Sequence, residues 1–286
     1  MKQSTFFFLI ISLFFGTCAK AQSIEELIRF ANQQFDQGKY EIASCEYNRA
    51  YFLGYEKRDE LLFKIANCYY HQHDYDLAGK FYDRAYLNST HDSLKNEAII
   101  AKSLSLLLSE KYLLAIAELF NFTEETTKDQ QIKAHVIRGI SHYQLNEDSI
   151  SHSEFYQLLN LANAPDSAYL LLDNEFSHIH KYKKKYNPKR AYIMSAIIPG
   201  SGQFSSGAYR DGTNSFLLIG GLYLVSLRVM GLYSFWEAAI LLLPWVQRYY
   251  IGGMEGAKEH ALSKIEAKRY QSYLTILNIT DPFYEP

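Results

Sequence analysis

Apolar residues between positions 24 and 160 follow the i, i+4, i+7 spacing of amphipathic helices, and the whole pattern returns about every 35 residues. The frame Gly38–Ala43 returns as His73–Ala78 and again as Glu110–Ala115, with steps of 35 and 37 residues between the aligned alanines. A fourth, degraded copy places Ser151 another 36 residues on. Repeats of this length predict stacked pairs of antiparallel helices.

Each of the first three copies combines a small residue, which lets the second helix approach the first, with a tyrosine that fills the space near the turn. In spacing and residue type these positions resemble the tetratricopeptide repeat, and the resemblance covers residues 24–160. Two departures are Leu27 and Leu62, which stand where the family has an aromatic residue. The predicted repeat core consists of Tyr40, Ala43, Tyr47, Ala50, Tyr75, Ala78, Tyr82, Ala85, Tyr112 and Ala115.

The resemblance implies an all-α solenoid with three clear repeats and one divergent repeat. The first helices of such an array line a concave surface that holds a protein or peptide partner. Candidate lining residues are the first-helix positions outside the core, although they also fit ordinary solvated side chains. They are Asn32, Asn67, Tyr70, Lys102 and Arg138.

Two apolar stretches follow the repeats, Ser215–Val229 and Phe235–Val246. They predict a hydrophobic helical hairpin with its turn near residues 231–234, and Arg228 and Glu237 lie close to that turn. Aromatic residues at both ends suit the headgroup layer of a membrane. We expect the hairpin to be embedded in membrane lipid; the alternatives are that it lies in the interface or packs within the protein.

A glycine-rich passage precedes the hairpin and contains Pro199, Gly200, Gly202 and Gln203, followed by Phe204. This passage resembles an uncharacterised bacterial membrane domain with the pattern Pro-Gly-x-Gly-Gln-aromatic, over about residues 186–260. The resemblance implies a membrane location and no particular activity. The four residues from Pro199 to Gln203 are therefore candidates for a motif of the membrane region.

The N-terminus has the features of a secretory signal peptide: Lys2, the apolar run Phe6–Phe15 and a small-x-small site at Ala19–Ala21. A lipoprotein signal that uses Cys18 is the alternative. Cleavage before Gln22 would place the solenoid in the periplasm. The basic run between residues 181 and 190 would then lie on the same side, against the positive-inside tendency, unless the signal is an uncleaved anchor.

The formal net charge of -2 gives no indication of a nucleic-acid partner, because binding to phosphates needs a strongly basic surface. Cleavage of the signal would leave two thiols, Cys45 and Cys68. Their pairing stays open, because a disulfide requires a Cα separation that sequence alone does not show.

No residue pattern indicates an active site, a metal or a cofactor. The pairs His71/His73 and His178/His180 stand two residues apart, so on a helix they point in different directions. The glycines after Pro199 lack the Gly-Lys-Ser/Thr of a phosphate-binding loop. We therefore expect no enzymatic activity and no cofactor.

These features divide the chain into a signal peptide (1–21), a solenoid (22–165), a capping helix with a basic linker (166–190), a membrane-associated region (191–260) and a tail (261–286). The predicted function is an exported, membrane-associated interaction scaffold of the cell envelope. The alternative is a component of a membrane-assembly or transport system in which the glycine-rich hairpin is the working part.

Overall fold

The computed structural model describes residues 23–123, 126–232 and 235–284. In these ranges every regular element is a helix and no strand occurs, so the predicted all-α class is confirmed. The predicted signal peptide lies outside the described residues. The chain forms two compact units, with the first ending at Leu161 and the second beginning at Ala162.

The first unit consists of consecutive helix pairs. The pairs are α1 (Ile24–Asp36) with α2 (Tyr40–Phe52), α3 (Arg58–His71) with α4 (Tyr75–Asn88), α5 (Asp92–Leu108) with α6 (Tyr112–Glu118, extended by the 3-10 turn Leu119–Asn121), and α7 (Lys128–Gln144) with α8 (Asp148–Ala162). Neighbouring helices pack against each other along the chain, as a solenoid-like stack requires.

Side-chain caps define where several of these helices begin. The Ser23 hydroxyl accepts a hydrogen bond from the Glu26 N–H at the start of α1, and the Asp74 carboxylate accepts one from the Leu77 N–H at the start of α4. Thr127 and Gln130 form a reciprocal capping box on α7. Each cap satisfies N–H groups that have no partner inside the helix.

The turn inside each helix pair has the same backbone geometry in all four pairs. Gly38, His73, Glu110 and Asn146 each adopt a positive φ, between 60° and 75°. In each turn the N–H of this residue and that of the next one bond back to carbonyls of the preceding helix, which ends the helix and reverses the chain. The fourth pair therefore repeats the geometry of the first three.

Small residues lie where the two helices of a pair cross. Ala43, Ala78 and Ala115 are fully buried. In the fourth pair Ser151 takes this place, and its hydroxyl donates a 2.8 Å hydrogen bond to the Gly139 carbonyl oxygen. Polar Ser151 is tolerated in a buried contact because its donor is satisfied by the facing backbone.

The second unit contains α9 (Asp166–Lys185), α10 (Pro188–Ile197), α11 (Ser201–Ser205), α12 (Tyr209–Leu232), α13 (Phe235–Thr280) and a 3-10 turn (Asp281–Phe283). Helices α9, α10, α11 and α12 all pack against α13. The helix predicted to cap the solenoid, α9, thus belongs to this unit.

Helix α13 runs without a break for 46 residues, through position 261 where we predicted the start of a separate tail. Its C-terminal half buries Met254, Ala257, Ala261 and Ile276, which fall on one helical face. Because that face is covered by the other helices of the unit, the polar half of α13 remains helical although its apolar content falls.

Candidate functional site

Two buried tyrosines of the first unit are paired with asparagines of the preceding helix. The Tyr47 hydroxyl donates to Asn32 Oδ1 at 2.6 Å, and the Tyr82 hydroxyl donates to Asn67 Oδ1 at 2.7 Å. In both pairs the residues stand 15 positions apart. Burial raises the pKa of both tyrosines well above the ordinary value, so both hydroxyls stay protonated and act as donors.

The Tyr82–Asn67 bond should contribute measurably to stability. We expect Tyr82→Phe to lower the free energy of unfolding by about 1 kcal/mol, because it removes one hydrogen bond and leaves the Asn67 acceptor without this donor. Tyr40→Phe is the matched control, since the Tyr40 ring stacks on His71 while its hydroxyl makes no hydrogen bond within the described part of the chain. Urea unfolding of a fragment of residues 22–161 measures both, and equal effects would contradict the role of this bond.

The tyrosines predicted near the turns, Tyr40, Tyr75 and Tyr112, are half-buried. Tyr40 lies 4.8 Å from His71, ring centroid to ring centroid, in a stacked arrangement. The Tyr75 hydroxyl is 2.8 Å from His73 Nδ1. Both histidines of the first candidate metal pair therefore contact aromatic side chains near the turns. The remaining core positions, Ala50 and Ala85, are fully buried.

The candidate groove residues Asn32, Asn67, Lys102 and Arg138 lie on the four first helices, the two asparagines six residues before the positive-φ turn residue and the two basic residues eight residues before it. All are half-buried and bonded within the solenoid. Asn32 Oδ1 also accepts a 2.9 Å hydrogen bond from Lys64 Nζ of the next pair. The fifth candidate, Tyr70, packs edge-on against Tyr75.

The two charged members of this set are also held by neighbours. Lys102 Nζ lies 2.7 Å from Asp83 Oδ1 and 2.7 Å from Glu118 Oε1. Burial disfavours the charged amine, but the two carboxylates outweigh it and raise the pKa of Lys102. Arg138 Nη2 donates to the Leu119 carbonyl oxygen at 3.1 Å. The five positions thus connect helices of the solenoid. For the two asparagines, the recurring 15-residue Asn–Tyr spacing in the sequence could have indicated this role.

The glycine-rich passage is a close-packed junction of the second unit. The Gly202 N–H donates to Ser195 Oγ at 3.0 Å, and Ser195 Oγ donates to Gln203 Oε1 at 2.9 Å. Gln203 Nε2 then donates to the Gly253 carbonyl oxygen of α13 at 2.7 Å. This chain of hydrogen bonds connects α10, α11 and α13.

The two motif glycines are required because other backbone lies against them. A Cβ on Gly202 would come closer than 3.0 Å to the Ala191 carbonyl oxygen. A Cβ on Gly200, which has φ 88°, would clash in the same way with the carbonyl oxygen of Gly212. Pro199 lies between the end of α10 and the contact of Gly200 with Gly212. The four motif residues therefore form the connection from α10 to α11.

Helix α12 and the first half of α13 form an apolar hairpin, which we define as residues 216–232 and 235–251. The turn was predicted near residues 231–234; residues 231 and 232 are the last two of α12, and residues 233 and 234 lie outside the described part of the chain. Within the described chain, α12 alone is long and apolar enough to cross a membrane by length and composition, and none of its most apolar 18-residue window is buried. Leu224, Trp236 and Ile240 are 67%, 73% and 78% exposed. The hairpin therefore presents a large apolar surface.

Cys45 and Cys68 are both free thiols: Cys45 is exposed, and Cys68 is buried. Burial raises the pKa of the Cys68 thiol to about 12, which keeps it protonated and unreactive at neutral pH. Among the described residues, no group of three or more His, Cys, Asp or Glu is arranged to hold a metal ion.

A groove of about 700 Å³ lies between α9 and the end of α13, with mostly apolar residues such as Leu171, Ile279 and Phe283 along it. Its carboxylate, Glu175, lies 3.6 Å from His178 Nδ1 and 4.0 Å from Lys268 Nζ. No protein-family model and no curated protein matches this chain.

Proposed function

We propose that the protein is an exported, membrane-associated scaffold of the bacterial cell envelope. The apolar hairpin anchors it in a membrane, and the solenoid, a tetratricopeptide-type array, offers a surface to a protein or peptide partner. The observation that carries the anchor is the exposure of the hairpin side chains, because a contiguous apolar surface of this size marks a contact with lipid or with another protein.

The dimensions of the hairpin agree with this role. Its first apolar segment, residues 216–232, has a helical length of about 25 Å at 1.5 Å per residue, close to the hydrocarbon thickness of a membrane. Ser215 Oγ lies against Gly253, so the apolar segments of both helices end at the same level. Trp245 and Tyr249 stack on each other near this level, as expected for residues in a headgroup layer.

Exposed apolar side chains of the solenoid support the proposed surface for a protein or peptide partner. Phe52 and Leu87 occupy equivalent positions at the ends of α2 and α4 and are 83% and 76% exposed. Leu113 and Phe120 of the third pair are exposed as well. Exposed apolar side chains repeated along a stack of helices supply the anchors that a peptide or helix needs.

The anchor is tested by washing membranes with alkaline carbonate after expression of the full chain with a C-terminal tag. We expect the wild type to remain in the pellet. A variant with Leu217, Leu224, Ile240 and Leu241 changed to Gln should be released, because polar side chains in hydrocarbon are costly. The matched control changes four solenoid residues of comparable exposure to Gln, namely Phe52, Leu87, Leu113 and Phe120, and should stay in the pellet.

Release of the wild-type chain by carbonate would contradict the anchor. Protease treatment of intact cells and of spheroplasts then gives the orientation. Because the hairpin returns the chain to its starting side, we expect the tag to be cleaved in spheroplasts and protected in intact cells. Protection of the tag in spheroplasts would contradict the proposed export.

A further inference from the structure

A cluster of basic side chains lies at the junction of α9 and α10. Its members are Lys181, Lys183, Lys184, Lys185, Lys189 and Arg190, and we call it the basic cluster. No acidic residue occurs between Glu175 and Asp211 in the sequence. Residues 23–161 carry 21 acidic and 14 basic side chains, whereas residues 162–286 carry 10 acidic and 13 basic. Positive charge is therefore concentrated in the unit that contains the apolar hairpin.

Four members of this cluster, Lys184, Lys185, Lys189 and Arg190, are exposed and have charges available to a ligand. Among the described residues, no carboxylate lies within 4.0 Å of the side-chain nitrogens of Lys184, Lys185, Lys189 or Arg190. Lys185 Nζ lies 5.0 Å above the Tyr186 ring, which leaves its charge uncompensated. By contrast, Lys102 in the solenoid contacts two carboxylates.

The basic residues line two clefts together with apolar side chains. One cleft of about 340 Å³ is lined by Lys184, Asn187, Lys189, Arg190, Ile193 and Met194. A second cleft of about 200 Å³ shares Arg190 and Met194 with the first, and Lys185 adds a further positive charge to it. Positive groups beside the exposed side chain of Ile193 match a ligand that carries phosphate at one end and hydrocarbon at the other.

The contact between α10 and α13 places the basic cluster close to the end of the apolar hairpin. Ala191 packs against Ala257 and Ala261. Gly253, which faces Ser215, marks the end of the apolar hairpin. Eight residues of helix separate Gly253 from Ala261, a distance of about 12 Å. Long basic side chains at this height reach the headgroup layer or lie within about one Debye length of it.

We propose that the basic cluster binds the headgroup phosphate of anionic phospholipids in the leaflet where the hairpin is anchored. This inference rests on the proposed function, since it names the lipid class that the anchored protein contacts. Because an anionic surface attracts each nearby Lys or Arg by roughly a fivefold gain in partition, four such residues should give a preference for anionic membranes of at least about tenfold.

The test is flotation of vesicles to which the detergent-solubilised full chain has been added by dilution. It compares the fraction of protein that floats with vesicles of phosphatidylcholine alone and with vesicles of phosphatidylcholine and phosphatidylglycerol. A larger fraction of the wild type should float with the anionic vesicles. The variant Lys184→Gln, Lys185→Gln, Lys189→Gln, Arg190→Gln should lose this preference while it still floats with phosphatidylcholine. The matched control neutralises four exposed basic residues of the solenoid, Arg29, Lys39, Lys80 and Lys128, and should keep it.

Each other outcome overturns the inference in a distinguishable way. Equal flotation of the wild type with both vesicle types would overturn the lipid preference and leave the anchor intact. Failure to float with either type would overturn the anchor as well. Saturable binding of inorganic phosphate in detergent, lost in the cluster variant while its vesicle preference is unchanged, would assign the cleft to a soluble phosphate instead.

Discussion

Alanine at position 200 will destabilise the second unit by about 3 kcal/mol, whereas alanine at position 207 will cost only about 1 kcal/mol. Both glycines have a positive φ, of 88° and 79°. They differ in their surroundings, because a Cβ at Gly200 would clash with the Gly212 carbonyl oxygen while a Cβ at Gly207 meets nothing within 4 Å. The comparison therefore separates steric exclusion by the facing backbone from left-handed strain, which both variants share.

Fluorescence is a suitable readout for this pair of variants. The chain has two tryptophans, Trp236 and Trp245, and both are in α13. Their emission during thermal unfolding of the detergent-solubilised full chain reports on the second unit without a contribution from tryptophans of the solenoid. A Gly202→Ala variant should behave like Gly200→Ala, since its Cβ would meet the Ala191 carbonyl oxygen. Equal transition temperatures for Gly200→Ala and Gly207→Ala would refute the close packing of α11 against α12.

Leucine in place of Ala115 will lower the free energy of unfolding of the solenoid by about 1–3 kcal/mol, the usual cost of overpacking a filled core. Ala115 is fully buried, in a cluster with Ile99, Leu119, Ala134 and Ile137. The added side chain can be accommodated only if helices α5, α6 and α7 move apart. The loss of their mutual contacts is the physical source of the effect.

The matched control for this substitution stands two residues further along the same helix. Ala117 is exposed, so Ala117→Leu adds the same atoms in solvent and should change stability by less than about 0.5 kcal/mol. Urea unfolding of a fragment of residues 22–161, followed by circular dichroism at 222 nm, measures both variants. If Ala115→Leu is as stable as Ala117→Leu, the repeat register that places Ala115 at the helix crossing is wrong.

The periodic part of this architecture was predictable because the constraint acts on single residues at fixed intervals. A tight helix crossing accepts only a small side chain, so Ala43, Ala78 and Ala115 are evident in the sequence at steps of 35 and 37. The turn residues left a weaker signal. Gly38, His73, Glu110 and Asn146 share one backbone conformation but no residue type, because the φ they adopt is tolerated by several side chains at modest cost.

The roles of the candidate groove residues needed the tertiary structure. A half-exposed asparagine or lysine on a first helix can face a partner or bond to the next helix, and the sequence pattern is the same for both. The structure places Asn32 and Asn67 against tyrosine hydroxyls and Lys102 between two carboxylates. Apart from the recurring 15-residue Asn–Tyr spacing, no pattern in the sequence indicates these contacts, because interactions between side chains 15 to 32 positions apart depend on how the helices pack.

In the second unit the sequence alone determined that residues after 190 are apolar, helical and interrupted by glycines, because composition and breakers act locally. The tertiary structure decided why those glycines are there. Gly200 meets Gly212, Gly202 meets Ala191, and Gln203 reaches Gly253 across 50 positions of sequence. It also decided that α13 continues past residue 260, because the helices packed on its C-terminal half stabilise a segment that composition alone predicted as a separate tail.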